Sequence, residues 1–544
     1  MRGDAGIADQ AGDEGAREGG APVRPSLHPS GPLNERTQAK ILTLAEMARH
    51  ARALREAGFK VVQAHGTFDL LHLGHVRHLE AARALGDELL VTITPDRFVN
   101  KGPGRPVFAE GLRAEMLAAL HVVSRVAVTE APDAIAAIEA IQPHIYAKGS
   151  DYQNPEGDVT GKIILERDAV ERHGGAIHFT DEMTFSSTAL INSHFNVFEP
   201  HVRRHLSGLR NDGGLDAILG ALDRIRDYRV VFVGDAIIDE YQYVLPIGKP
   251  PKEHIIATRH QDREIFAGGV FAAANTVADF CREVEVITCL GSDRSHEDFI
   301  RRSLRPNVRL HALIRPNAPT TRKERFIDPS SMRKLFEVYH INDEPLTPDL
   351  DDVLDGMVKE HCPTADAVIA TDFGHGLIGP TIIDRLIRSS AFLAVNTQTN
   401  SANMGYNLIT RYPTADFICI DAPEARLALS DRISPIGDLI HHLADRMHGC
   451  SKIIVTTGKH GCVSFERGGS TIHTIPAVAR RIVDTVGAGD AFFAVTSPLV
   501  AAGLPTDLAG FVGNVVGALK VEIIGHRRSV ERASLIKAIM ALLK

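Results

Sequence analysis

The sequence predicts an α/β protein of two doubly wound domains, and three observations carry that expectation. At 544 residues the chain is too long for a single core. Twice, a short apolar run leads into a glycine-containing loop and then a helical pattern. These runs are residues 60–64 (K-V-V-Q-A) and residues 228–233 (Y-R-V-V-F-V). From residue 228 onward, apolar runs and helical patterns alternate, as they do in parallel sheets with crossover helices.

Taken in order, residues 1–34 are rich in Gly, Ala, Asp, Arg and Pro and carry no apolar period. They read as a disordered tail. Helical spacing runs from Ile41 as far as Gly58. The first domain is expected over residues 35–198. Residues 199–222 follow as a linker, its first part basic and broken by Pro200 and Gly208. The second domain is expected over residues 223–544.

Composition narrows the function classes. Lys and Arg number 60 against 68 Asp and Glu, a net charge of -8, so no nucleic-acid or membrane partner is expected. No uninterrupted apolar run reaches membrane-spanning length, and no secretion-signal pattern is present. The six cysteines lack C-x-x-C spacing, which argues against a cysteine zinc site or a disulfide framework and suits a cytoplasmic setting. His441-His442 reads as solvated helix surface.

The first glycine loop is His65-Gly66-Thr67-Phe68-Asp69-Leu70-Leu71-His72-Leu73-Gly74-His75. His72 and His75 are three apart, so they share one face of the opening helical turn. Gly74 between them allows a phosphate chain to approach the backbone. This stretch resembles the nucleotidyltransferases of the cytidylyltransferase family, and the resemblance extends over about residues 60–195. Lys101, with Arg105-Pro106, is similar to the family's basic loop, and Arg113 opens the next helix. Lys148 lies in a K-G-x-D-Y-like element, and Ser187 and Thr188 in an S-S-T-like element. The resemblance implies a Rossmann-like nucleotidyltransferase in which the phosphate of a sugar phosphate attacks the α-phosphorus of a nucleoside triphosphate. His72, His75 and Lys101 would neutralise the charge that gathers there. Gly66, Thr67, Phe68, Asp69, Gly74, Lys148, Ser187 and Thr188 would bind nucleotide.

A further glycine loop lies near the other end of the chain, at Val483-Asp484-Thr485-Val486-Gly487-Ala488-Gly489-Asp490-Ala491-Phe492-Phe493. Gly487, Ala488 and Gly489 can curl to point N–H groups at one spot, and the helix that follows adds the positive end of its dipole. A carboxylate at Asp490 can take a proton from an attacking hydroxyl. The string resembles the ribokinase (PfkB) family of sugar kinases. That resemblance implies a ribokinase-like domain with a small β lid, drawn from residues 243–266 and 322–339. It assigns Asp235, Asp239, Gly268 and Gly269 to sugar binding and Thr457, Gly458, Gly461 and Asn514 to nucleotide binding. It associates Glu424 with Mg²⁺. Four places depart from the family pattern: His375 and Gln398 stand where lysines are usual, Ala272 and Ala273 where an Asn follows the glycine pair, and Asp421 where an Asn precedes the glutamate.

Together the two resemblances imply a bifunctional enzyme similar to the heptose-phosphate kinase/adenylyltransferases, with the domain order reversed. The kinase half would phosphorylate a sugar phosphate at O1 with ATP. The transferase half would join the sugar 1-phosphate to a nucleotide and release pyrophosphate. The alternative is a CTP-dependent enzyme of the CDP-glycerol or CDP-alditol type fused to a divergent or inactive kinase module. Mg²⁺ is expected as cofactor, ATP or CTP as nucleotide, and a homodimer as the assembly.

Overall fold

The computed structural model describes residues 35–99, 105–149, 162–180, 198–468 and 472–543. The tail expected over residues 1–34 lies outside them, as do Lys101, Ser187 and Thr188.

The first domain is a six-stranded, all-parallel sheet. Its strands are β1 (Ile41–Leu42), β2 (Val61–Gly66), β3 (Glu88–Ile93), β4 (Arg125–Val128), β5 (Ile145–Gly149) and β6 (Ala176–Thr180), in the order β1-β4-β3-β2-β5-β6. Ile41 and Leu42 pair with β4 instead of opening the helix that their spacing suggested. The helix begins at Leu44, because Thr43 and Glu46 form a capping box that satisfies the first free N–H groups. Val61, Val62 and Ala64 are buried on both faces of β2, as a central parallel strand requires. Strand order reverses at β2, which has β3 on one side and β5 on the other. The crevice beyond their C-terminal ends lies at Gly66 and at Lys148–Gly149.

The second domain repeats the logic on a larger scale. Strand β7 (Arg229–Gly234) leads through Asp235 into β8 (Ala236–Gly248), which returns as β9 (Ala257–Gly269). Then come β10 (Glu283–Asp293), β11 (Val308–Pro319), β12 (Thr321–Asp328), β13 (Arg333–His340), β14 (Ala367–Asp372), β15 (Leu393–Thr397), β16 (Thr414–Asp421), β17 (Gly449–Thr456), β18 (Cys462–Glu466) and β19 (His473–Ile475). Nine of these form the main sheet in the order β11-β10-β7-β14-β15-β16-β17-β18-β19, antiparallel only at β18 and β19. Helices pack on both faces, over two separate apolar clusters. The order reverses at β7, so a crevice opens at Asp235 beside the end of β14. The remaining four strands make the lid, in the order β13-β12-β8-β9.

The stretch read as a linker is folded. Residues Pro200–Asn211 form a helix whose Val202, Leu206 and Leu209 are buried in the core of the second domain, and the helix Gly214–Arg224 adds Ile218, Ala221 and Leu222. Pro200 occupies the first helical turn, where its missing N–H costs nothing, so it starts this helix instead of breaking it.

Candidate active sites

In the first domain, the end of β2 feeds the helix Leu73–Ala84. His72 is its N-cap, and the Gly74 N–H donates to His72 Nδ1 over 3.1 Å. The His72 and His75 rings stack with centroids 4.0 Å apart, and Phe68 meets His75 edge-on at 5.2 Å. Phe68 holds a left-handed backbone (φ 47°) with its ring buried under Gly66. Two imidazoles therefore sit together on a helix N-terminus at the sheet's switch point, where anionic phosphates are favoured.

Around this pair, other side chains build the loops. Asp69 is buried and accepts from Arg105 and from the N–H groups of Val107 (2.6 Å) and Phe108 (3.4 Å). It anchors the segment after residue 104, a role that its position in the motif did not reveal. Arg113 is fully buried and donates to the carbonyls of Thr67, Phe108 (3.0 Å) and Thr94 (2.9 Å) and to Asp96 (2.6 Å). It ties the loops after β2 and β3 together. Lys148 pairs with Glu166 at 2.7 Å. His78, one turn beyond His75, bonds Thr180 at 2.7 Å, and burial followed by the nearby Lys148 charge lowers its pKa to about 4.

In the second domain, Gly487 takes a left-handed conformation (φ 72°) and caps the helix Ala488–Ala501. A Cβ there would lie 2.5 Å from the His526 ring, so glycine is required twice over. The Ala488 N–H reaches Thr485 O at 3.3 Å, whereas those of Gly487, Gly489 and Asp490 have no acceptor among the described residues. Free N–H groups on a helix N-terminus favour an anion. Asp490 is half-buried in the first turn of that helix. Burial pushes its carboxyl above the ordinary range, opposed by the His526 charge and by a hydrogen bond from the Gln398 amide.

Asp490 belongs to a charged cluster assembled from distant elements. Asp239 on β8 is bonded by Arg325 of β12 and lies 3.2 Å from His526. Burial raises the Asp239 carboxyl, yet Arg325 and His526 together hold it well below the ordinary carboxylate range. Both its oxygens are engaged, so it braces the lid and His526 against the Gly487 turn. Gly268 is glycine because a Cβ would stand 2.0 Å from Asp239 Oδ2. Asp235 accepts from the N–H groups of Phe373 (2.8 Å) and His375 (3.4 Å), and burial, then neighbouring Asp372, pushes it up to about 7. Lys323 on β12 points its ammonium over Tyr339 and Phe373, 5.5 and 5.9 Å from their ring centroids. Burial lowers its pKa, with Asp239, Asp235 and Asp490 among the opposing charges. It forms no ion pair or hydrogen bond among the described residues. Sequence reading missed Lys323, Arg325 and His526. The one available signal was the alternating T-R-K-E-R-F run of β12, which shows a strand but not what it faces.

A cavity of about 330 Å³ opens beside Asp490 and Gly487, lined in part by Phe266, Asn275, Lys520 and Arg528. Lys520 is buried and bonded to Gly525 O, and burial lowers it to about 8 against the pull of Asp484 and Asp490. Asp484 does not face the cavity chemistry: it accepts from the Tyr241 hydroxyl (2.6 Å) and the Gly525 N–H (2.8 Å).

Other motif residues serve the backbone. Asn514 donates to the carbonyls of Ile475 (3.0 Å) and Pro476 (3.1 Å) and fixes the last strand. Thr457 closes its own loop onto Gly461 O at 2.9 Å, with Gly458 and Gly461 both at positive φ. Glu424 and Asp421 form a capping box on the helix Ala422–Leu429, and Glu424 also accepts from the Thr399 N–H at 3.2 Å. Burial, then the Asp421 charge, pushes Glu424 up to about 8. A folded-state pKa above the unfolded one favours the protonated form. The associated stability is present below the ordinary carboxylate range and is lost as pH rises through about 8. Glu424→Gln keeps the capping geometry and removes this loss, so its Tm should fall less than the wild type's between pH 5 and pH 9.

The model of the pfkB family carbohydrate kinases matches residues 227–533, and that of the cytidylyltransferase-like proteins matches residues 64–193. Among curated relatives, "Bifunctional protein HldE" of Methylococcus capsulatus is 42% identical over 152 residues, 28% of this chain and 31% of that protein. The protein of the same name from Methylobacillus flagellatus is 40% identical over 154 residues, 28% of this chain and 30% of that one. The chain thus spans about a third of the length of these relatives. Among solved structures, Escherichia coli phosphofructokinase-2 with substrates and products is 13% identical, covering 59% of this chain and 100% of that one at a TM-score of 0.47. Arabidopsis thaliana ribokinase with ribose and ATP is 18% identical, covering 58% and 99% at 0.45. The first domain is a Rossmann-like cytidylyltransferase fold and the second a ribokinase-like fold. With more than half its length matched, the chain belongs to the pfkB family of carbohydrate kinases.

Proposed function

We propose that the chain carries out two successive reactions of sugar-nucleotide synthesis. Residues 223–544 move the γ-phosphoryl group of ATP to O1 of a sugar phosphate of the heptose 7-phosphate type. Residues 35–198 then join the sugar 1-phosphate to a nucleotide, giving an ADP-heptose-like product and pyrophosphate. The observation that carries the kinase reading is the half-buried Asp490 in the first turn of the helix Ala488–Ala501, where the backbone N–H groups of Gly487, Gly489 and Asp490 have no acceptor among the described residues. Asp490 takes the proton of the attacking hydroxyl while those N–H groups hold the moving phosphoryl group in line. For the transferase, the stacked His72–His75 pair on its helix N-terminus supports charge neutralisation at the α-phosphorus. The proposed nucleotide contacts of Lys101, Ser187 and Thr188 rest on the motifs alone.

Mg²⁺ fits the kinase site through Asp421 and Glu424, two adjacent carboxylates that burial pushes up and that a cation would relieve. Bound there, it would neutralise phosphate charge. Among the described residues no helix is long and apolar enough to cross a membrane, and all six cysteines are free thiols. The free thiols support a cytoplasmic setting. The outer lid carries exposed Phe336 and Val338, which a second copy would cover, so a homodimer is expected by light scattering.

Lys323 supplies the cation that His375 and Gln398 do not. It lies among Asp235, Asp239 and Asp490, where an anionic acceptor must be held. Lys323→Met should lower kinase kcat/KM by about 10–100-fold, the cost of one charged hydrogen bond, and leave pyrophosphate release unchanged.

The deciding experiment gives the full chain ATP with a panel of sugar phosphates and reads ADP. It then gives each nucleoside triphosphate with sugar 1-phosphates and alditol phosphates and reads pyrophosphate. ATP use in both steps is the expected result. CTP use with no ADP formed from any sugar phosphate would replace this reading with a cytidylyltransferase carrying an inactive kinase fold.

A further inference from the structure

Away from both sites, three side chains of metal-binding type converge at the other end of the large sheet. Glu285 lies on β10, His311 on β11, and His361 ends the helix Pro348–His361. One donor atom from each lies within 4.8 Å of the others. Glu285 Oε2 is 3.0 Å from His311 Nε2 and 2.8 Å from His361 Nδ1. The two imidazoles face each other with centroids 4.0 Å apart. Arg229 of β7 takes the other carboxylate oxygen, Oε1, through two donors at 2.9 and 2.6 Å. It also donates to His361 O at 3.1 Å.

Each feature suits a cation. Two imidazole nitrogens and one carboxylate oxygen are a donor set that Zn²⁺ accepts, with a further position left for water. With metal–ligand bonds near 2.0–2.1 Å, neighbouring donors of a tetrahedral shell lie about 3.3 Å apart, so the two carboxylate–imidazole pairs need separate by only a few tenths of an ångström. Arg229 fixes the carboxylate from behind, as outer-shell partners of metal ligands do. The helix ends at His361, so the negative end of its dipole lies there. Glu360 contributes further negative charge beside His311. Both histidines keep part of their side chain in contact with solvent, 27% and 18%, which leaves an entry path. The three ligands come from separate elements, so no local spacing in the sequence shows them.

We propose that Glu285, His311 and His361 bind Zn²⁺, in a structural site that staples the end of the helix Pro348–His361 to β10 and β11. The site is independent of phosphoryl and nucleotidyl transfer: Glu285 pairs with Val231, three residues before the active-site end of β7 at Gly234.

The test uses the full chain, stripped of metal, with no nucleotide present. Zn²⁺ is titrated calorimetrically and Tm is read with and without it. One equivalent should bind and raise Tm, because a ligand that binds only the folded state stabilises it. His361→Asn and His311→Gln should each weaken binding at least tenfold and abolish the Tm rise, with both catalytic activities kept. Co²⁺ in place of Zn²⁺ should give visible absorption bands that both variants lose. If one variant fails to fold without metal, the other carries the comparison. No Zn²⁺ uptake by the wild type, or equal uptake by a folded variant, would overturn the proposal and leave an ion-pair cluster in its place.

Discussion

Asp490→Asn should abolish ADP formation with the sugar phosphate acceptor, lowering kcat by about 10²–10⁴-fold, the contribution of a positioned general base. Asparagine has the carboxylate's shape, so the anion hole, the Gly487 turn and the contact with Gln398 persist. What disappears is the proton acceptor. The loss should therefore fall on kcat, with the KM values for ATP and acceptor little changed, because the missing interaction forms only in the transition state. Pyrophosphate release by the first domain serves as the internal control and should stay at the wild-type rate. The pH profile offers a second readout. Burial pushes the Asp490 carboxyl up, and a base works only when deprotonated. The acid limb of wild-type kcat/KM should thus lie above the ordinary carboxylate range, with activity falling as pH drops through it. In Asp490→Asn the residual activity should lack that limb. A variant that retains wild-type turnover would remove Asp490 from the reaction.

The architecture was legible because its signals are local. A buried parallel strand reads as a continuous apolar run, and a phosphate loop must place glycine where a Cβ would collide, as at Gly487 against His526. The strands that end at both switch points, residues 60–64 and 228–233, were legible as such runs. What the runs could not tell is which distant side chain would fill a motif residue's hydrogen-bonding capacity. Asp69, Asp239 and Asn514 stand in motifs that suggest ligands, yet their polar atoms engage Arg105, the Arg325–His526 pair and the carbonyls of Ile475 and Pro476. Those partners arrive through sheet register and through segments remote in the chain, which spacing does not encode. The same blindness hid Lys323, whose place near Asp490 depends on β12 pairing in parallel with β8. The helix Pro200–Asn211 was missed for a different reason. Its apolar positions are three and four apart, but Pro200, Gly208 and the basic residues masked the period.

The largest effect expected in the first domain comes from the stacked histidines. His75→Ala should cut pyrophosphate release by about 10²–10³-fold, the scale measured for deleting one donor to developing charge. His72 needs a subtler change, because its Nδ1 also accepts from the Gly74 N–H as the helix N-cap. Alanine there would remove both the cap and the imidazole, and the capping loss alone is worth about 1 kcal/mol of stability. Asparagine is a good N-cap and carries no imidazole. His72→Asn should therefore keep the helix start and the Tm while losing nucleotidyl transfer to a similar degree. The two substitutions together should cost less than the product of their separate effects if the rings, stacked at 4.0 Å, act on one phosphate as a unit. Sugar phosphorylation by the second domain should be untouched in all three variants, which separates loss of the site from loss of the fold. If His72→Asn and His75→Ala both keep full pyrophosphate release, the pair is a packed cap over Phe68, and the charge at the α-phosphorus must be met by other groups.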